Sequence, residues 1–410
     1  MIPRTKQPEG TGIPRATGRI IGDMGGGQSG PTLVCFGGIH GNEPAGVAAL
    51  ESVFAQLATE ANPLEAGRFI GVRGNLAALE QGRRFLVHDL NRLWTLPRMA
   101  VIREKEPSLR SPEEAGLLEI FKCLHRILKE SGPPFYFVDL HTTSSPTLPF
   151  MTINDAVINR KFAGLFPVPV ILGIEEYLDG PLLSYINELG YVSLGFESGR
   201  HEDPAAVRAA EDFLWLALEF AGLMGKSPGP QAAERLARLR EAARGDRNFY
   251  EVFYRHALHG AENFRMVGGF RSFQALPRGT LLAHDHSEPV YMKKKGLLFM
   301  PLYQDQGDEG FFLIRRIPSR ALRLSAWLRR FRFQDVLPVL PGIRWAAPGS
   351  QHLLVNLRVA RFFSKKLFHL LGFRSKQKDR THLLLSNRER TARNEDYAET
   401  FWFRRKFVRK

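Results

Sequence analysis

The 410-residue chain has little cysteine and no long apolar run. Cys35 and Cys123 are its only cysteines, too few for a disulfide framework or a thiolate metal site. The most apolar helical stretch, residues 213–224, is interrupted by Glu219 and is too short to span a bilayer. The first residues run into Gly- and Pro-rich sequence without the apolar segment of a signal peptide. We therefore expect a reducing, cytoplasmic location.

Acidic residues are also scarce, and the shortage is local. The chain is 44% hydrophobic and 24% charged, as globular proteins are, but 57 Lys and Arg against 42 Asp and Glu give a net charge of +15. Residues 315–410 alone carry +18, so residues 1–314 carry −3. A strongly basic chain often binds an anionic partner. Here the charge belongs to a C-terminal extension and says little about the chemistry of the body.

Apolar runs alternate with helical patterns through the first half of the chain. Helical patterns begin near Pro44, Pro112 and Pro204. Strands are predicted at 31–36, 69–72, 135–138, 168–172 and 191–196. This alternation predicts an α/β fold with a mixed, largely parallel sheet flanked by helices. Functional loops are then expected at the carboxyl ends of the strands.

From Asn248 the texture changes to short strand-like pieces separated by Gly, Pro and Asp. We therefore predict three parts. They are a catalytic domain at 1–247, a small β-rich domain at 248–317 and a basic amphipathic extension at 318–410.

Polar residues follow the predicted strands. His40 and Glu43 lie three residues apart between a Gly-rich turn and a helix, and His141 follows another strand. Two imidazoles, one carboxylate and an open fourth position describe a catalytic zinc site. The pair alone is a weak signal, because an ordinary loop histidine would look the same. Asp139, just before Leu140, could orient the His141 ring by a hydrogen bond to the nitrogen that does not face the metal.

A carboxylate that is not a metal ligand is also needed to move protons in such a site. Glu197 follows a further strand and is placed for this role, although it could instead cap a helix start. His201 and Asp203 follow closely and could line the pocket, but we expect them to be solvent-exposed loop residues.

Together these motifs resemble the succinylglutamate desuccinylase/aspartoacylase family of zinc-dependent amidohydrolases, relatives of the zinc carboxypeptidases. The motifs occur in the family's order and with similar spacings over residues 30–317, and the family also has a small β-rich second domain. The segments that carry the resemblance are 37–46, Arg84 with 89–92, 139–143 and 197–199.

The resemblance implies one Zn²⁺ per chain, held by His40, Glu43 and His141. Glu197 would take a proton from the metal-bound water and then protonate the leaving amine. Hydrolysis of an amide needs this combination of nucleophile and proton carrier on independent chemical grounds.

The resemblance also implies roles for a basic and polar set. Arg84 would polarise the scissile carbonyl, although Arg83 could serve instead. Asn91 and Arg92 would bind a substrate carboxylate, for which a guanidinium fork is well shaped. The alternative is that Asp89 to Arg92 form a structural turn with a surface ion pair.

Three departures from the family pattern leave the substrate open. The family has an arginine where this chain has Asn187, Asn-Pro where it has Asn75-Leu76, and a tyrosine for which residues 306–310 offer no equivalent. We expect hydrolysis of an amide, or an ester, in a small N-acyl amino acid or related carboxylate. The alternatives are a zinc carboxypeptidase acting on peptides and a non-catalytic binding protein.

The extension mixes basic and bulky apolar residues. Such a segment suits an anionic membrane surface, single-stranded nucleic acid, or docking of its apolar face on the chain's own body. Helical spacing is suggested by Val355, Val359, Phe362, Phe363 and Leu370, with Arg358, Arg361, Lys365 and Lys366 between them.

Overall fold

The structure is a computed structural model. It describes residues 18–60, 64–225, 229–258, 263–331, 337–347, 352–356, 358–359, 368, 370–377, 381–387, 389 and 391–404. Within these ranges every helix is too short or too polar to cross a membrane.

Strands and helices alternate up to residue 242, and strands dominate thereafter. The strands are β1 Ile20–Gly25, β2 Gln28–Gly37, β3 Ala66–Arg73, β4 Phe135–Thr143, β5 Phe150–Ile153, β6 Val170–Leu172, β7 Val192–Arg200, β8 Phe249–Ala257, β9 Phe264–Met266, β10 Gln274–Ala275, β11 Leu281–Asp285, β12 Glu288–Tyr291, β13 Leu297–Phe299, β14 Glu309–Arg316, β15 Ile343–Trp345, β16 His352–Asn356, β17 Phe373–Gln377 and β18 His382–Asn387. The helices are α1 Ala45–Leu57, α2 Leu76–Gln81, α3 Leu96–Glu104, α4 Pro112–Glu130, α5 Val157–Ala163, α6 Leu182–Glu188, α7 Pro204–Ala221, α8 Pro230–Ala242 and α9 Ser319–Arg330.

One large sheet organises the body. Its strand order is β1-β3-β2-β4-β7-β5-β6-β8-β14-β13-β10. From β3 to β8 every neighbouring pair is parallel except β5 with β7, and the strands at both ends pair antiparallel. The expected mixed α/β fold with a large, largely parallel central sheet is confirmed.

Helices bury apolar faces on both sides of this sheet, as a mostly parallel sheet requires. On one side α1 and α7 join the strands in a core where Phe196 stacks on Phe213 with ring centroids 4.1 Å apart. On the other side α4 packs with Ile120 and Leu124 buried. Helix α4 begins with a capping box between Ser111 and the backbone at Glu114, which fixes where its buried face starts.

Residues 249–316 form strands, and four of them continue the central sheet. Strands β8, β14, β13 and β10 extend it, whereas β9, β11 and β12 form a separate three-stranded sheet. The boundary that we predicted between residues 247 and 248 therefore has strands of the central sheet on both sides of it, and it stays a prediction.

The C-terminal extension contains a helix and a second small sheet. Helix α9 precedes an antiparallel sheet of order β15-β16-β18-β17, whose buried side chains include Leu353, Val355 and Leu385. The helical spacing predicted from Val355 is wrong there, because this residue lies in strand β16. Three consecutive residues of this strand, Leu353, Leu354 and Val355, are buried. Residues 361–367 of that pattern lie outside the described residues.

The end of the extension packs into the core of the body. Trp402 lies among core aromatics, with ring centroids 5.3 Å from Phe162 and 6.3 Å from Tyr136. The Tyr397 hydroxyl donates to the carbonyl of Phe135 and accepts from the amide of Val192. Both aromatic side chains are fully buried. Of the alternatives left open for the extension, docking on the body is therefore the one that the described residues display.

Candidate active site

The turn between β2 and α1 brings His40 and Glu43 to the carboxyl edge of the sheet. Gly38 has a φ of 71°, a left-handed conformation that favours glycine. A Cβ on Gly41 would collide with the backbone of Ala78, so only glycine permits this approach. Gly37, at the end of β2, pairs with Leu140 of β4. This register places the turn beside His141.

The three expected ligands converge. Glu43 Oε1 lies 2.9 Å from His40 Nδ1, and its Oε2 lies 3.0 Å from His141 Nδ1. The three ligand atoms lie within 4.8 Å of one another, and all three residues are buried. The amide of Thr142 also donates to Glu43 Oε2, at 3.0 Å. The sheet and the turn thus supply the His, Glu, His set that the sequence predicted.

The outer nitrogens of both imidazoles also meet carboxylates. His40 Nε2 lies 3.2 Å from Asp89 Oδ1, and His141 Nε2 lies 2.8 Å from Asp139 Oδ2. An ionised carboxylate only accepts, so these contacts place the proton on Nε2 and leave the Nδ1 lone pair directed at Glu43. A neutral imidazole has one N–H, so the two Nδ1 atoms and Glu43 are lone-pair donors that could hold a cation. Two nitrogens and one carboxylate fit zinc.

The charges of these groups are strongly coupled. Burial alone would raise the pKa of Glu43, but His40 and His141 hold it well below its usual range. Burial alone would lower the pKa of His141, but Asp139 and Glu43 hold it well above its usual value. The cluster therefore favours positive charge between its carboxylates, and a metal ion would compete with protons for these positions.

Glu197 lies on β7 directly opposite His141 of β4. Its side chain is buried, and Oε2 has no hydrogen-bond partner among the described residues. Burial is the main cause that raises the pKa of Glu197 to about 8, and the negative charges of Glu43 and Asp139 add to it. A carboxyl group that exchanges its proton near neutral pH is suited to general acid–base chemistry.

Arg84 lines the same pocket. Its Nη1 donates to Glu43 Oε1 at 3.3 Å and its Nη2 to Asp89 Oδ2 at 3.1 Å. The Arg84 carbonyl also accepts from the amide of Gly41, at 3.2 Å. These contacts fix the guanidinium beside the predicted ligands.

Asn91 and Arg92 also line the pocket, but each already has partners. Asn91 Oδ1 accepts from the amide of Leu182 at the start of α6, at 2.9 Å. Arg92 Nη2 donates to Glu309 Oε2 at 3.0 Å, and its Nη1 donates to the carbonyl of Asn91 at 3.1 Å. The side chains predicted to bind a substrate carboxylate are thus brought to the pocket and are paired within the chain.

Glu309 and Glu113 are two further residues at the site that no sequence motif indicated as functional. Glu309 stands in the segment that we noted only for its missing tyrosine. Glu113, in the first turn of α4, is completely buried and accepts from the amide of Leu86 at 2.7 Å. It also lies within 3.4 Å of the Val87 and His88 amide nitrogens, and so holds the loop that carries Arg84 and Asp89. In the sequence, the only clue to Glu113 is an acidic residue at the start of a predicted helix.

His201 was expected to be an exposed loop residue, but it lines the pocket. Its Nδ1 lies 2.7 Å from Thr142 Oγ1, and its Nε2 lies 3.0 Å from Gln304 Oε1. Asp203, by contrast, caps α7 by accepting from the amide of Ala205 at 2.8 Å. The pocket therefore includes His201, the alternative that the sequence left less favoured, and this histidine contacts Gln304 beyond β13.

The fold and the site together define a class: an α/β protein with a buried His, Glu, His cluster at the carboxyl edge of its sheet. Residues 29–200 match the succinylglutamate desuccinylase/aspartoacylase catalytic domain family. The resemblance seen in the sequence is thus confirmed over these residues.

Curated relatives match a shorter part of the chain. A succinylglutamate desuccinylase of Burkholderia cenocepacia is 33% identical over 111 residues, which are 27% of this chain and 30% of that protein. One of Burkholderia orbicola is 32% identical over 111 residues, 27% of this chain and 31% of its own. The chain thus aligns with less than a third of the length of these relatives.

Solved structures share the fold. A succinylglutamate desuccinylase/aspartoacylase of Rhodobacter sphaeroides matches with a TM-score of 0.52 and 18% identity, over 71% of this chain and 87% of its own. A succinylglutamate desuccinylase of Chromobacterium violaceum matches with a TM-score of 0.51 and 16% identity, over 71% and 86%. At these identities the likeness concerns the fold alone.

Proposed function

We propose that this chain is a zinc-dependent hydrolase that cleaves an amide, or an ester, in a small N-acyl amino acid or related carboxylate. The observation that carries the proposal is the convergence of His40, Glu43 and His141 beside the buried carboxyl of Glu197. The three ligands would hold a zinc ion, which would supply a lowered pKa for water and polarisation of a carbonyl.

The chain's own residues account for the proton transfers and for part of the charge stabilisation. Glu197 takes the proton of the attacking water and delivers it to the leaving nitrogen or oxygen. Arg84 is fixed by Glu43 and Asp89, and its positive charge favours the negative charge that develops on the carbonyl oxygen. Asp139 and Asp89 hold the two imidazoles in the orientation that keeps Nδ1 available.

A small substrate is favoured over a long peptide by the walls of the pocket. Met300, Pro301 and Leu302 follow β13, and Gly307 precedes β14. All four line the pocket, so the second half of the chain supplies walls that limit its size. A zinc carboxypeptidase acting on peptides remains the nearest enzymatic alternative.

One experiment distinguishes the N-acyl hydrolase, the zinc carboxypeptidase and the non-catalytic binding protein. Purified protein is assayed for bound metal and for hydrolysis of N-acyl amino acids and of peptides, before and after chelation and after zinc is restored. We expect about one zinc per chain and acyl hydrolysis that chelation abolishes and zinc restores. Hydrolysis of peptides only favours the carboxypeptidase, and a metal-free wild-type protein without activity favours a binding protein.

A second role concerns the surface of α9. Trp327 is 51% exposed, and Leu324 at 47% and Phe331 at 59% lie on the same side of this part of the chain. Arg323 and Arg330 are exposed beside them. Aromatic rings among arginines suit peripheral contact with an anionic membrane. Sedimentation of the full chain with phosphatidylserine vesicles, compared with Trp327→Ala and with neutral vesicles, tests this contact. The cytoplasmic location and the nucleic-acid alternative remain predictions from the sequence.

A further inference from the structure

The arginines of the pocket are already paired with acceptors of the chain itself. Among the described residues that line the pocket, Arg84 and Arg92 are the only lysines or arginines. Arg84 uses one terminal nitrogen for Glu43 and the other for Asp89. Arg92 uses one for Glu309 and the other for the carbonyl of Asn91. A substrate carboxylate arriving here meets two guanidinium groups that already have acceptors.

Glu309 is the partner that determines whether a substrate carboxylate can bind to Arg92. It stands at the first position of β14, and its side chain is only 11% exposed. Its Oε2 lies 3.0 Å from Arg92, and its Oε1 lies 3.6 Å from Arg255 Nη1. A carboxylate of the chain therefore occupies the position in front of Arg92 that a substrate carboxylate would need.

Displacement of Glu309 by a substrate carboxylate would be unfavourable. Glu309 would lose its main partner while largely shielded from water, and the incoming carboxylate would lie next to it. Like charges brought together at a recognition site discriminate against the ligand that brings them. An uncharged group meets neither penalty.

We propose that Glu309 is a specificity-determining residue that excludes substrates with a free carboxylate at Arg92. This inference rests on the proposed hydrolase function and refines its substrate class. The acylated substrate carries an uncharged group at this position, such as an amide, an ester or an apolar side chain. The apolar pocket residues Leu178, Leu183 and Phe312 fit such a group.

The test compares wild-type protein with Glu309→Gln, which keeps the size and the acceptor oxygen of the side chain and removes its charge. The matched control is Glu251→Gln. Glu251 lies on β8 and pairs with Arg315 of β14 at 2.6 Å, across the same two strands and away from the pocket. Binding of succinate and of uncharged succinamide is measured by calorimetry, which does not depend on turnover.

The expected result is that Glu309→Gln binds succinate at least about tenfold more tightly than wild type, with succinamide affinity unchanged. Glu251→Gln should behave as wild type. Equal succinate affinity in wild type and Glu309→Gln, or no binding by either, overturns the inference. Should the variant misfold, wild type alone decides: it should bind succinamide at least as tightly as succinate, and a clear preference for succinate overturns the inference.

A kinetic comparison separates this inference from the proposed function. Hydrolysis of N-acetyl-L-leucine is compared with that of N-acetyl-L-leucinamide, in which an uncharged carboxamide replaces the carboxylate. Wild type should favour the amide, and Glu309→Gln should reduce that preference. Absence of any hydrolysis, together with the expected shift in succinate binding, refutes the function and leaves the inference standing. Hydrolysis with an unchanged preference refutes the inference alone.

Discussion

His40 Nδ1 lies 2.9 Å from Oε1 of Glu43, which is three positions later in the sequence. The contact exists because the chain passes through a glycine turn and enters α1 directly after Glu43. Both side chains then project to the carboxyl edge of the sheet, where His141 Nδ1 lies 3.0 Å from the other oxygen of the same carboxylate. Local sequence thus positions two groups, and strand pairing adds the third.

Replacing His40 by alanine should abolish metal binding while the fold is kept, because two ligands alone do not hold zinc in a protein site. Elemental analysis after gel filtration measures this loss. His125→Ala is the control, since His125 contacts Tyr185 at 3.1 Å on the surface of α4 and lies outside the pocket. Equal metal content in His40→Ala and wild type would contradict the assignment of His40.

Asp139→Asn should weaken metal binding without abolishing it. Asp139 is fully buried and its Oδ2 lies 2.8 Å from His141 Nε2. Loss of such a partner commonly lowers metal affinity about 10- to 100-fold. Competition with a coloured chelator measures the affinity, and Asp203→Asn serves as the control because it alters a carboxylate that caps α7. An unchanged affinity in Asp139→Asn would show that Asp139 does not support the ligand.

Glu113→Gln should impair turnover although Glu113 lies outside the pocket. The carboxylate holds the backbone at Leu86, and the loop places Arg84 and Asp89. A buried amide N–H that loses a charged acceptor costs about 1–3 kcal/mol of folding free energy. We expect kcat to fall more than the change in thermal stability explains, with zinc retained.

Glu119→Gln provides the comparison for this effect. Glu119 lies on the same helix, and its side chain is 59% exposed. Substitution there should leave kcat, metal content and stability unchanged. If Glu113→Gln loses only stability, and kcat per folded molecule is that of wild type, then Glu113 does not position Arg84.

Arg329→Met should destabilise the whole chain. Arg329 of α9 is buried, and it donates to Asp155 Oδ2 at 3.0 Å and to Glu389 Oε1 at 2.9 Å. Removing one partner of a buried ion pair costs about 3–5 kcal/mol, because the other charge stays buried. Chemical denaturation measures the free energy of unfolding, with the exposed Arg330→Met as control.

Trp402→Ala tests the same docking independently of charge. Loss of a buried tryptophan costs about 3–5 kcal/mol. Stabilities of both variants close to that of wild type would mean that the extension does not pack on the body, and the membrane and nucleic-acid alternatives would regain weight.

How far the sequence could be interpreted depended on how local each signal was. The turn with His40 and Glu43, and the strand that carries His141, are short patterns with a defined geometry. Their position relative to one another follows from the parallel pairing of β2 with β4. The short strand β5 was missed because its four residues, Phe150–Ile153, show no periodicity of their own.

Other features arise only from long-range packing. Glu309 is separated from Arg92 by 217 positions, and no local pattern links them. The apolar residues around Val355 suited a helix as well as a strand until pairing with β18 fixed their register. The charge of +15 drew attention to anionic partners, whereas part of it, at Arg329, neutralises buried carboxylates of the chain itself.

In the proposed mechanism Glu197 transfers protons beside a metal that His40, Glu43 and His141 would hold. Glu197→Gln tests it most directly when zinc content and hydrolysis of an N-acyl substrate are measured on the same sample. We expect about one zinc per chain, as in wild type, and a loss of kcat of about 10²- to 10⁴-fold. Retention of wild-type turnover, or loss of the metal along with activity, would contradict it.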